Sequence, residues 1–325
     1  MRVAILGAGA WGSALAKLLA ERGKKVSLWG RDPSKLEEIE RQQENRRLLP
    51  GIKLPANIDY EPRIESTTDA DLIVVSVPSQ CIAEVVGRLA DYRGILVSTT
   101  KGIDYETGHT MSGIMAAACP EARIAALSGP TIAGEVALGV PSAIVAASED
   151  ASVARAVQEV FNTPAFRVYS STDLPGVELG GAVKNVFAIA AGVGDGLGFG
   201  DNAKAALITR AIAEMKRVGV AAGAQAETFA GLSGLGDLTV TCFSRHSRNR
   251  TFGEQLGRGR RPKETLDATI SVVEGYPATR SARHLAQSLG VVTPIIDEVY
   301  AMLYEEKNPM EAVRDLMTRE LKAED

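Results

Sequence analysis

Cysteine is scarce: Cys81, Cys119 and Cys242 are the only three in 325 residues, far apart and never paired as Cys-x-x-Cys. That excludes a disulfide framework and offers no zinc-ligand spacing, so the thiols read as reduced and no metal site is expected. Histidine is equally rare, with His109, His246 and His284 alone, and none sits in the apolar, cleft-like segment that a general base needs. No stretch approaches the roughly 18 uninterrupted apolar residues of a membrane span, which argues against stable insertion in a bilayer. The opening run Met1-Arg2-Val3-Ala4-Ile5-Leu6 stops at Gly7, without the longer apolar core and cleavage site of a signal peptide. The expected compartment is the cytoplasm. A large charge of one sign is also missing: 36 Lys and Arg stand against 40 Asp and Glu, a net −4. With no basic run in view, nucleic acid is not an expected partner.

What is present is an ordinary globular composition, 45% hydrophobic and 23% charged, in a chain long enough for two domains and a cleft between them. Up to about residue 170, short apolar runs alternate with helical stretches: Val3 to Leu6, Val26 to Trp29, Leu72 to Val77, Ile95 to Thr99, Ile124 to Leu127 and Ala143 to Ala146. Runs of that kind suit strands covered on both faces, in a parallel sheet with crossover helices. Residues 1–172 are therefore expected to form a doubly wound, Rossmann-like α/β domain. From 173 to 325 Ala-rich segments take over, as in Gly181 to Ala191, Ala203 to Gly219 and Ala278 to Leu289, and predict an all-α domain. Asp201 is placed as the N-cap of a helix starting near Asn202, and Pro277 early in another. An Ala-rich helical domain also allows pairing with a second copy, a possible homodimer whose interface residue types do not identify.

Gly7-Ala8-Gly9-Ala10-Trp11-Gly12 is G-x-G-x-x-G, directly after the first strand and opening an apolar helix. Gly7 permits the tight turn, Gly9 lets backbone approach a pyrophosphate and Gly12 allows close packing of helix on strand. The phosphates would lie on the helix N-terminus, and the implied cofactor is NADPH or NADH. At the end of the second strand, Arg31 stands where an acidic residue often receives the ribose 2′-hydroxyl and is suited to a 2′-phosphate. Asp32 beside it reads as an N-cap before Pro33, which leaves Arg31 open to a plain surface role as well.

Hydride chemistry needs one group to move a proton. Lys184 is the only cation in Leu179-Gly180-Gly181-Ala182-Val183-Lys184-Asn185-Val186-Phe187-Ala188-Ile189-Ala190. There desolvation favours the neutral amine, unless the side chain snorkels to water. Ser244-Arg245-His246-Ser247-Arg248-Asn249-Arg250 follows the glycine-rich run Gly231 to Gly236 and Asp237. It reads either as an anion grip, for which the arginine fork is suited, or as a solvated charged face. Thr99-Thr100-Lys101-Gly102 and Ser128-Gly129-Pro130-Thr131 each follow a strand, where a cofactor crevice receives functional groups.

Together these segments, with Gly234-Leu235-Gly236-Asp237-Leu238 and Val273-Glu274-Gly275-Tyr276, resemble the bacterial NAD(P)-dependent glycerol-3-phosphate dehydrogenase family. The likeness runs from the first strand to about residue 310. It implies interconversion of dihydroxyacetone phosphate and sn-glycerol 3-phosphate, feeding phospholipid synthesis. It implies Lys184 as proton acceptor in the oxidative direction, with Lys101 and Asp237 orienting the reacting oxygens. It further implies Arg248, Asn249 and Ser247 on the substrate phosphate, Gly129 and Thr131 lining the pocket, and Thr241 near the lysine. Cofactor contacts are implied for Ala10, Trp11, Arg31, Lys101, Ala133, Arg248, Val272 and Glu274. Ala10 replaces a common serine and Ile132 a common phenylalanine, both minor departures. Rivals are a 2-dehydropantoate or β-hydroxyacid reductase, which would not need the phosphate grip, and a redox-sensing NADPH-binding protein, for which Lys184 would be superfluous.

Overall fold

A computed structural model describes residues 1–269, 272–321 and 323–324. The chain divides into two compact units, residues 1–101 with 109–178, and residues 102–108 with 179–325.

The first unit is built on β1 (Arg2–Leu6), β2 (Lys25–Trp29), β3 (Ile58–Glu61), β4 (Leu72–Val75), β5 (Ile95–Ser98), β6 (Arg123–Ser128), β7 (Ser142–Ala147) and β8 (Phe166–Ser171). They form one sheet in the order β3-β2-β1-β4-β5-β6-β7-β8. Strands β1 to β6 are parallel, in the doubly wound arrangement whose ligand crevice lies at the carboxyl ends. Around the sheet run α1 (Ala10–Glu21), α2 (Pro33–Gln42), α3 (Ile82–Gly87), α4 (Met111–Ala118), α5 (Ala133–Ala137) and α6 (Ala151–Phe161). Alternation along β1 shows why the strand is apolar throughout: Val3 and Ile5 enter one core, Ala4 and Leu6 the core on the opposite face.

Two features differ from the sequence reading. β7 runs antiparallel to β6, because the 129–141 link, with its five-residue α5, re-enters the sheet at the end where β6 leaves it. The edge strands β3 and β8 carry no continuous apolar run: in β3 only Ile58 is buried, and in β8 exposed Arg167 and Tyr169 alternate with buried Phe166 and Val168.

The second unit is helical, with α7 (Leu174–Gly196, which begins in the first unit), α8 (Asp201–Ala221), α9 (Asp237–Phe243), α10 (Arg248–Gly257), α11 (Pro262–Asp267), α12 (Gly275–Ser288), α13 (Pro294–Tyr304) and α14 (Pro309–Met317). Gly200, not Asp201, is the N-cap of α8; Asp201 is its first residue, where its charge suits the helix dipole. By length and hydropathy α7 resembles a membrane span, yet 94% of its most apolar window is buried inside the protein. A helix apolar on every side is a core helix when other helices cover it. Covering it closely requires glycine. A Cβ on Gly253 of α10 would stand 2.0 Å from the Ile189 carbonyl oxygen, and one on Gly192 would stand 1.9 Å from that of Arg250.

Two helices are capped by buried carboxylates from distant sequence. Glu178 accepts from the backbone and hydroxyl of Ser112 at the start of α4, and Glu214 accepts from Ile295 N at 3.1 Å and Ile296 N at 2.9 Å at the start of α13. Burial pushes the Glu214 carboxyl up to about 7, against the downward pull of the two amides. Its folded-state pKa thus lies above the 4.5 of an ordinary glutamate, so its contribution is complete below that pH and is lost as pH rises through about 7. Wild-type protein is expected to lose about 2–3 kcal/mol through this group between about pH 5 and pH 8. Glu214→Gln should be less stable at low pH by about 1–3 kcal/mol, having left one amide poorly paired, but should lack that slope. Urea midpoints across the range decide it; parallel pH profiles for the two proteins would refute the assignment.

Candidate active site

In the first unit the predicted cofactor residues gather at the carboxyl ends of β1, β2, β5 and β6. Gly7 adopts φ +123°, and a Cβ there would lie 2.3 Å from the Ser76 carbonyl oxygen. A Cβ on Gly12 would lie 1.9 Å from the Gly7 oxygen. Both positions exclude a side chain because the protein itself fills the space. Gly9 is different: a Cβ on it meets nothing within 4 Å. The turn is thus closed behind and open in front, at the start of α1, where no side chain caps the first turn. An open face next to uncapped N–H groups fits a dinucleotide pyrophosphate. The turn is braced by Asn45, which donates to the Ala8 carbonyl and the Ser13 hydroxyl, both at 3.0 Å. Its partners lie 37 and 32 residues away, so no local pattern announced it.

Ala10 and Trp11 occupy the first turn of α1, with the Trp11 ring packed towards Phe166. Arg31 is exposed after β2. Asp32 caps α2: it accepts from Ser34 Oγ at 2.7 Å and pairs with Lys35 at 2.6 Å, and first Lys35, then Ser34, hold its carboxyl far below the usual range. After β5, Thr99 and Thr100 donate to the Val75 and Val77 carbonyls at 3.1 and 2.7 Å, which fixes the turn that carries half-buried Lys101. After β6, the Thr131 hydroxyl donates to the Gly129 carbonyl at 3.2 Å, and Ala133 opens α5.

In the second unit Lys184 is 6% exposed and Asp237 1%. The Lys184 ammonium donates to Asp237 Oδ1 and, at 2.7 Å, to Thr241 Oγ1, whose hydroxyl donates to the Asp237 carbonyl at 2.6 Å. The lysine does not snorkel; its charge is matched where it stands. The glycine-rich run forms a π-helical turn, Leu232–Gly236, that feeds α9 with Asp237 as its first residue. π-Turns of this kind recur at functional sites. Gly180 admits the approach, since a Cβ there would stand 2.7 Å from the Ser233 oxygen. Cys242 is buried beside this group, and desolvation pushes its thiol up to about 12 although Lys184 pulls the other way. That thiol is no nucleophile at neutral pH.

The Ser247 to Arg250 motif is divided by helical geometry. Ser247 caps α10, accepting from Arg250 N at 3.2 Å. Arg248 is exposed in the first turn. Asn249 is buried, donating to Asn185 Oδ1 at 2.8 Å and accepting from Gly275 N at 2.9 Å. Arg250 turns to Asp195, its Nε 2.6 Å from Oδ2. Asn185 and Gly275 were not singled out by the sequence reading. Val272 is 40% exposed, and Glu274 is half-buried at the start of α12.

Residues 2–154 match the family described as the NAD-dependent glycerol-3-phosphate dehydrogenase N-terminus, and residues 173–314 the one described as its C-terminus. A glycerol-3-phosphate dehydrogenase [NAD(P)+] of Citrifermentans bemidjiense is 48% identical over 99% of this chain and 98% of its own. The chain belongs to the NAD(P)-dependent glycerol-3-phosphate dehydrogenase family. The crystal structure of the glycerol-3-phosphate dehydrogenase of Coxiella burnetii superposes with TM-score 0.94 at 37% identity, covering 98% of this chain and 99% of that one. A ketopantoate reductase of Ralstonia eutropha reaches TM-score 0.62 at 18% identity, covering 96% and 100%, and shares the fold alone. Glycerol-3-phosphate dehydrogenase membership therefore overrides the 2-dehydropantoate reductase alternative.

Gly9 and Gly12 of the turn should separate experimentally. Gly12→Ala is expected to destabilise the protein by about 1–3 kcal/mol through overpacking. Gly9→Val should leave the melting temperature of the cofactor-free protein nearly unchanged but weaken NADPH binding about tenfold or more, as its side chain enters the open face. Thermal and urea unfolding check the stabilities and calorimetric titration with NADPH the binding, and unimpaired binding by Gly9→Val would show that the dinucleotide lies elsewhere.

Proposed function

We propose that the protein reduces dihydroxyacetone phosphate to sn-glycerol 3-phosphate, with Lys184 as the group that moves the proton. The buried Lys184–Asp237–Thr241 cluster carries this reading. When bound, the nicotinamide supplies the hydride. In the reductive direction the Lys184 ammonium protonates the oxygen at C2; in reverse the neutral amine takes the hydroxyl proton. Asp237 and Thr241 keep the amine aimed, since an acceptor on each of two N–H directions leaves little rotational freedom. Lys101, fixed by the Thr99 and Thr100 hydroxyls at the end of β5, adds positive charge against the developing oxyanion. Arg248 and the first turn of α10 are assigned to the phosphate, and Gly129 and Thr131 to substrate binding as well. That remote binding energy positions C2.

NADPH is the favoured cofactor, because Asp32 is committed to its cap and to Lys35, which leaves Arg31 as the polar side chain for a 2′-phosphate. Val272, Glu274, Ala133 and the backbone at Ala10 and Trp11 are assigned to the rest of that cofactor. The product serves phospholipid synthesis in the cytoplasm.

Lys184→Ala should lower kcat by at least about 100-fold while NADPH binding is retained; wild-type turnover would sink the assignment. Arg248→Ala should raise KM for dihydroxyacetone phosphate by about ten- to a hundredfold. Nicotinamide absorbance assays with dihydroxyacetone phosphate, dihydroxyacetone and 2-dehydropantoate test the substrate, and turnover that does not require the phosphate would refute it.

A further inference from the structure

The Ser244 to Arg250 stretch holds three arginines, but one of them is engaged elsewhere. Arg250 Nε donates to Asp195 Oδ2 at 2.6 Å, and Lys204 Nζ of α8 lies 2.7 Å from Asp195 Oδ1. The three side chains are only 13–16% exposed. Each carboxylate oxygen thus receives one cation from a different helix. We propose that Asp195 is a positioning residue for substrate binding: by holding Arg250 it sets the first turn of α10, and with it Arg248, in the register that receives the substrate phosphate. This rests on the reading of Arg248 as the phosphate ligand.

Three observations support it. Asp195 lies eleven residues beyond Lys184 on α7 (184 to 195), close to three full turns, so both project from one side of the same helix. The Arg250 carbonyl is pressed against Gly192, one turn before Asp195, where a Cβ would stand 1.9 Å away. The ion pair therefore holds the first turn of α10 where its backbone meets α7, and any displacement of that turn would carry with it a ligand two residues upstream. Lys204 also lies over the ring of Phe243 at 5.1 Å, and Phe243 is the last residue of α9, the helix that carries Asp237 and Thr241. Asp195 is thus linked to both ends of the site by direct partners on α8 and α10. Buried ion pairs contribute little net stability and act best by fixing register.

Without its charge, Arg250 and Lys204 face one another across a neutral amide, and Arg250 keeps only its longer pair with Glu254 of its own helix, at 3.8 Å. Arg250 then leaves its place and the turn that bears Arg248 shifts, while the Asn249 clamp on Asn185 and Gly275 limits the movement. The loss should therefore appear in binding of the phosphorylated substrate rather than in the chemical step. The test uses the full-length enzyme with dihydroxyacetone phosphate and with unphosphorylated dihydroxyacetone, comparing Asp195→Asn, Arg250→Gln, Arg250→Lys, the Asp195→Asn/Arg250→Gln double variant and Arg248→Ala. Asp195→Asn is expected to raise KM for the phosphorylated ketone about tenfold with kcat within about twofold. The efficiency with dihydroxyacetone should change by less than about twofold. Arg250→Lys should retain most of the selectivity that Arg250→Gln loses, and the double variant should be no worse than Arg250→Gln. Equal losses on both substrates, or a tighter KM because freed Arg250 joins the phosphate, would overturn the proposal. If Arg248→Ala fails to change the ratio, the phosphate reading falls and this inference with it; if Arg248→Ala changes it and Asp195→Asn does not, only the role of Asp195 falls. Arg250→Gln and Arg250→Lys keep the question answerable should Asp195→Asn not fold.

Discussion

A charged amine buried in an apolar helix is the constraint on which the second unit is built. Removing an ammonium from water costs several kcal/mol unless a counter-charge and further hydrogen bonds meet it in place. Lys184 and Asp237 are each almost wholly inside, so neither is tolerable without the other, and α7 and α9 must meet at one point. Thr241, one turn beyond Asp237, completes the cluster by accepting from the lysine while donating to the Asp237 carbonyl. The rest of the surroundings follows from that meeting. The π-turn before α9 delivers Asp237, and Gly180 removes the side chain that would keep α7 and this turn apart.

Glycine has two physical uses in this chain, distinguished by what a Cβ would strike. At Gly7, Gly12, Gly192 and Gly253 it would strike carbonyl oxygen of the protein itself, so these residues set distances between elements. At Gly9 it would strike nothing, which leaves room at the start of α1 for the dinucleotide that the motif implies. In the G-x-G-x-x-G turn the packing falls along the lines the motif predicts, with Gly7 and Gly12 pressed against backbone and Gly9 facing open space.

The parts legible in the sequence are those whose cause is local. The central strands are apolar because both faces are covered, the glycine turn follows a strand, and Lys184 stands out as the lone cation of its run. What escaped depends on partners far along the chain. Asn45 reaches a turn 37 residues away, Asn185 and Asn249 are 64 apart, and the carboxylates that cap α4 and α13 lie 66 and 81 residues from the amides they accept. The edge strands β3 and β8 escaped for another reason: half-exposed strands need no continuous apolar run. The reversal of β7 is a property of where its connection lies and leaves no mark in residue types.

Helical geometry also divides four consecutive polar residues among different surroundings. Successive side chains on a helix point about 100° apart, so Ser247 closes the end of α10, Arg248 faces outward, Asn249 faces the core and Arg250 lies alongside α7. Of this motif's charges, only that of Arg248 is left for an anion, and the positive end of the α10 dipole adds to it. An arginine fork that approaches from one side and a backbone terminus from another favour a compact dianion over a planar carboxylate. The selectivity proposed for a phosphorylated ketone thus follows from which residues the fold withdraws from the motif as much as from those it presents.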